Sequence, residues 1–141
     1  MTDQGFRQLP HTADIYIEAY GSSLNEAFKQ AGLALFRTII PKAHGVDIWK
    51  TVVARGADLH ELLYDWLEKL LHVFEIDQLV VTEIRVNKIA KNGEYYVLES
   101  DVGGVQYDRE KHATGTAVKS PTYALMEVDE RNNVVRFVLD I

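Results

Sequence analysis

Two aspartates stand among apolar residues where a bare carboxylate is costly to keep: Asp14 in "HTADIYIEAYG" and Asp140 in "VVRFVLDI". Each segment alternates with the period of a strand. From Thr12 to Tyr20, Ala13, Ile15, Ile17 and Ala19 fall to one side, and Asp14, Tyr16 and Glu18 to the other. In the last segment Val135, Phe137, Leu139 and Ile141 oppose Val134, Arg136, Val138 and Asp140. If these two strands are neighbours the acids converge, and converging carboxylates repel unless a proton or a cation lies between them. A hard divalent cation is the economical solution, because calcium and magnesium take carboxylate, carbonyl and water oxygens, and Ile141 adds oxygen beside Asp140. Two other uses stay open for each acid. One is a solvated or backbone-capping aspartate. The other is an ion pair with Lys119 or Arg136, which is worth little on a surface.

The remaining candidates are weaker. The five histidines share no zinc spacing. His11 is close to Asp14 in the chain but in phase with Ala13 and Ile15, which favours a packed or hydrogen-bonded ring over a ligand. His112, in "YDREKHATG", reads as a solvated loop residue, and His44, His60 and His72 read as surface or helix-flanking residues. Lys119 in "TAVKSPTY" is the one basic side chain of a strand-like stretch. It either discourages edge aggregation or, beside a carboxylate cluster, holds an acidic group of a ligand or partner. No Walker loop, dinucleotide fingerprint, nucleophile elbow, zincin helix or EF-hand loop is present. The Gly-Gly pair at 103 and 104 reads as a tight turn.

The elements that must position these residues can be traced by period and punctuation. After the first strand, Gly21 ends the alternation. "SLNEAFKQAGLALFRTII" then opens with Ser23 and Glu26 at capping-box spacing and puts Leu24, Ala27, Phe28, Ala31 and Leu35 on one helical face. Residues 46 to 54 alternate again, and Asp58 with Glu61 starts a second helix with Leu59, Leu62, Leu63, Trp66, Leu70 and Phe74 facing inward. Strands are expected at 80 to 90, 94 to 102, 116 to 129 and 134 to 140, with turns at "KNG", "VGG" and "ERNN". Pro121 marks an edge or a bulge, since it donates no ladder hydrogen bond. Two amphipathic helices and mostly antiparallel strands, without strict βαβ alternation, predict an α+β fold.

Composition narrows the function. A chain of 141 residues, 47% hydrophobic and 26% charged, is expected to form a single domain over residues 1–141. The 15 basic and 21 acidic side chains leave a net charge of −6, which disfavours direct, tight nucleic-acid binding. Without cysteine, disulfides, thiolate metal sites and a cysteine nucleophile are excluded. No apolar run has the length of a membrane span, and the expected location is the cytoplasm.

Five segments together carry a family likeness. "HTADI" (11–15), "SLNEAFKQAGLALF" (23–36), "LLYDWLEKLL" (62–71), "YDREKHATGTAVKSPTY" (107–123) and the terminal "VLDI" (138–141) resemble the archease family, in its order and over nearly the whole chain. The resemblance implies a small α+β accessory protein of RtcB-type RNA ligases, which join tRNA exon halves. Its implied action is to promote guanylylation of the ligase's active-site histidine and so allow multiple turnover, with GTP and manganese belonging to the ligase. It also implies a metal site made by Asp14, Asp140 and the carbonyl of Ile141, with calcium as the expected cation. Lys119 falls on the lysine of the family's V-K-x-x-T-Y motif, and His11 on its H-T-A-D motif. The chain departs from the pattern at Gly104-Val105-Gln106, where Gly-Glu-Pro is common, at Ala124, where His is common, and at Pro121, where a small residue is usual. The alternatives are a small divalent-metal-dependent hydrolase using Asp14 and Asp140, for which no base, nucleophile or pocket is legible, and a general chaperone or methyltransferase modulator. Oligomeric state is not readable from the sequence.

Overall fold

The computed structural model describes residues 3–9 and 14–141. In chain order these form β1 (Gly5–Leu9), β2 (Ile15–Tyr20), α1 (Leu24–Ile39), β3 (Ile48–Gly56), α2 (Leu59–Asp77), β4 (Leu79–Asn92), β5 (Tyr95–Gln106), β6 (Ser120–Pro121), β7 (Glu127–Asp129) and β8 (Val134–Asp140). One sheet has the order β1-β2-β8-β6, with β7 also paired to β8, and the other has the order β3-β5-β4. Pairing among the described residues is antiparallel in both sheets. The expected α+β class is the observed one.

Both helices begin where the sequence signals them. The Ser23 hydroxyl accepts from the Glu26 N–H at 3.1 Å, and Asp58 Oδ1 accepts from the Glu61 N–H at 2.8 Å. Each bond satisfies one of the amides that a helix start leaves without a partner. α1 packs against β2 and β8 of the first sheet and against β4 of the second, while α2 covers β3, β4 and β5. Trp66 is fully buried between the helices, and its Nε1–H donates to the Phe28 carbonyl at 2.9 Å. Residues of both sheets and both helices therefore share one apolar core, from Ile15 to Leu139. Each fully buried Leu or Phe there contributes roughly 1.5–3 kcal/mol, more than an exposed ion pair supplies.

Several expectations need correction. The first strand begins at Ile15, with Asp14 in the bend that leads into it, and Thr12 and Ala13 lie outside the described residues. The strand β1 has no counterpart in the sequence reading, because "GFRQL" shows too little alternation. The stretch 116 to 129 is two short strands, not one, and Lys119 precedes the first of them. Its earlier part is bound elsewhere: the N–H groups of Gly115 and Thr116 donate to the last carbonyls of α1, Ile39 and Thr38, at 2.7 and 2.8 Å. Gly103 and Gly104 are not a turn but part of β5, paired with both β3 and β4. A Cβ at Gly104 would lie 2.0 Å from the Val80 carbonyl oxygen, so glycine is required there by close backbone approach. Pro121 does lie on an edge strand, as its missing N–H requires.

Candidate functional site

The pairing of β2 with β8 decides where the two aspartates meet. Ile15 is opposite Leu139, the last pair of that ladder. One further step along each strand brings Asp14 and Asp140 to facing positions at the end of the first sheet. On the other side of β8, Ser120 is opposite Asp140, and the Lys119 N–H donates to the Asp140 carbonyl at 2.8 Å. Thr122 fixes the same segment two residues on, its N–H and hydroxyl both donating to the Val138 carbonyl at 3.0 Å. Asp14 and Asp140 are half-buried, and Lys119 and Ile141 are exposed. Residues distant in the chain thus gather at one sheet end: Asp14, Lys119, Ser120, Asp140 and Ile141.

Among the described residues neither carboxylate forms an ion pair. The alternative pairing with Arg136 that the sequence leaves open is not formed. Arg136 Nε donates to Glu18 Oε2 at 2.8 Å and its Nη1 to Glu127 Oε2 at 2.6 Å, while Arg7 Nε reaches Glu18 Oε1 at 2.8 Å. These four residues form a row across β1, β2, β8 and β7. Asp14 and Asp140 at facing backbone positions, neither in an ion pair among the described residues, offer carboxylate oxygens next to the backbone oxygen of Ile141, donors that would suit a hard divalent cation and not a thiophilic one. Among the described residues no third acid or histidine joins them, so water would supply the other ligands.

The remaining site expectations resolve unevenly. His11 lies outside the described residues. His44, His60 and His72 are exposed, as read from the sequence. His112 is not a solvated loop residue: it is 9% exposed, its Nδ1 accepts from the Asp108 N–H at 3.0 Å, and its ring stacks on Tyr107. The sequence signal was available in Asp108 and His112, four residues apart in a turn that closes on itself. Val105 belongs to β5 in the second sheet, whereas Ala124 follows β6 on the sheet that carries the acid pair. Sequence reasoning also missed Tyr123, whose ring stacks on Tyr64 of α2 with centroids 4.5 Å apart and planes 9° from parallel.

Residues 6–141 match the model of the Archease protein family (MTH1598/TM1083). Protein archease of Methanosarcina barkeri is 37% identical over 131 residues, covering 91% of this chain and 90% of that protein. Protein archease of Sulfurisphaera tokodaii is 37% identical over 142 residues, covering 98% and 99%. The solution structure of Methanobacterium thermoautotrophicum protein 1598 superposes with a TM-score of 0.81 at 28% identity, covering 97% of this chain and 99% of that one. The crystal structure of a Thermotoga maritima archease, described as a possible chaperone, shares the fold with a TM-score of 0.55 at 20% identity, covering 95% and 94%. With a family match spanning both ends of the first sheet's central strand pair, and relatives of the same length, the chain belongs to the archease family.

Proposed function

We propose that this chain is a metal-binding accessory factor, with no reaction of its own, that activates an RtcB-type RNA ligase in tRNA splicing by promoting guanylylation of the ligase and multiple turnover. Membership of the archease family supports the accessory role. The observation that carries the metal site is the β2–β8 register, which brings Asp14 and Asp140 to facing positions. In this reading Asp14, Asp140 and the Ile141 carbonyl hold a divalent cation, calcium by preference. The cation would supply positive charge for phosphate oxygens at the ligase's nucleotide site. Lys119, fixed through its backbone to Asp140, adds a second positive charge at the same sheet end and contacts the partner. GTP and manganese belong to the ligase, and His11 is assigned a supporting role. The acidic balance of −6 suits a protein partner better than free RNA. The proposed location is the cytoplasm; among the described residues no helix is long and apolar enough to cross a membrane.

The test is formation of the ligase–guanylate adduct from GTP, with and without substoichiometric amounts of this protein. Wild type should accelerate it over several turnovers, and Asp14→Ala and Asp140→Ala should each reduce the stimulation at least tenfold while the ligase's basal rate stays unchanged. Wild type without effect on adduct formation would sink the reading. Hydrolysis by the isolated protein would point instead to a hydrolase, and broad suppression of aggregation of unrelated clients to a chaperone.

A further inference from the structure

The turn after β6 holds a residue choice that works against the fold. Its base is pinned to β8 through Thr122, whose Oγ1 also accepts from the Ala124 N–H at 3.2 Å, and its far side returns through the Met126 N–H to the Tyr123 carbonyl at 3.2 Å. Met126 points into the core. Ala124 and Leu125 are thus the two central residues of a four-residue turn, and Leu125 has φ +54°. That is the left-handed region, where a Cβ crowds the backbone and glycine or asparagine is the usual occupant. A leucine would be tolerated there if burial repaid the strain, yet Leu125 is 55% exposed. Tyr123 beside it is 53% exposed while the stack on Tyr64 holds its ring in one orientation. The turn therefore presents outward a rigid tyrosine, the low-entropy kind of anchor enriched at interface hot spots, with an aliphatic side chain beside it.

The charges around it choose the partner. Tyr123 stacks on Tyr64 between Glu61 and Asp65 of α2, and after burial the negative charge of Glu61, of the N-cap Asp58 and of Asp65, itself paired with Lys69 Nζ at 2.8 Å, helps to push its hydroxyl above the usual tyrosine range. A second copy would set acid against acid, and the phosphates of nucleic acid or anionic lipid would be repelled in the same way. We propose that the Tyr123–Met126 turn is a docking knob, inserting Leu125 and Tyr123 into an apolar cleft rimmed by Lys and Arg on a protein partner. The identity of that partner as the RNA ligase rests on the function proposed above, and an enzyme that grips RNA and GTP must carry basic surface near its substrate path.

Leu125→Gly separates this from a structural role, because stability and binding should move in opposite directions. The variant should raise Tm by about 2–4 °C through relief of the left-handed strain. Its affinity for the purified RtcB-type ligase, measured by calorimetry, should nevertheless fall at least tenfold, and Tyr123→Ala should weaken binding by a similar factor. Wild-type affinity should also drop as salt is raised, since the matching rim is basic. Unaltered affinity of Leu125→Gly, a fall in its Tm, or binding insensitive to salt would overturn the docking knob while leaving the ligase reading intact. Failure of the wild-type chain to bind the ligase would overturn both.

Discussion

Glu18 is a carboxylate kept charged at 7% exposure, and the cause is visible in its neighbours. Burial alone would push its carboxyl up, but the hydrogen-bonded guanidiniums of Arg136 and Arg7 outweigh that and hold it below the ordinary 4.5. The sign of the pH dependence follows. With a depressed folded value, the stabilisation is fully present above about 4.5 and is lost as pH falls through the lower, folded value. Glu18→Gln is expected to lower unfolding free energy by about 1–2 kcal/mol at neutral pH. Urea denaturation of the two proteins should converge as the buffer is taken into the acid range, and a gap that persists there would show that packing, not charge, is responsible. The alternation of the segment around Glu18 placed it opposite Ile15 and Ile17, but its partners could not be found. Arg7 sits on a strand with too little apolar pattern to announce itself, and Arg136 is 118 residues away. Asp14 and Asp140 stand out more readily, because an acid among apolar residues contradicts its surroundings in the sequence itself, although Asp14 lies in the bend before β2 and not in the strand.

The helices were legible because their caps are local chemistry: Ser23 with Glu26 and Asp58 with Glu61 act over three residues. Strands 116 to 129 and the turn at "VGG" were misread for the opposite reason. The chain near Gly115 spends its N–H groups on the end of α1, and Gly104 is squeezed against the Val80 backbone, and neither partner is nearby in sequence. A glycine can mark a turn or a close approach, and only the packing says which. Gly104→Ala is accordingly expected to destabilise the second sheet by roughly 2–4 kcal/mol, as for other changes that force backbone apart. Chemical denaturation checks this. A loss below about 0.5 kcal/mol, the range of ordinary surface changes, would mean that β4 and β5 can separate freely at this point.

At the scale of the molecule, the proposed cation joins the second strand to the last. A ligand that binds only the folded protein stabilises it by mass action, about 2.7 kcal/mol at a hundredfold excess over Kd. Titration with calcium should therefore raise Tm in wild type, magnesium should do so less, and Asp14→Ala with Asp140→Ala should abolish the rise. An equal rise in the double variant would place the ion elsewhere. The same topology has a consequence for how the protein is made and unmade. β8 is the strand to which β2, β6 and β7 all pair, yet it follows all three in the chain. Until residues 134–140 emerge, the nascent chain can assemble its helices against the second sheet but has only a fragment of the first. Loss of this segment would remove the shared partner of three strands together with Asp140, so a product that keeps its shape while lacking the acid pair should not accumulate.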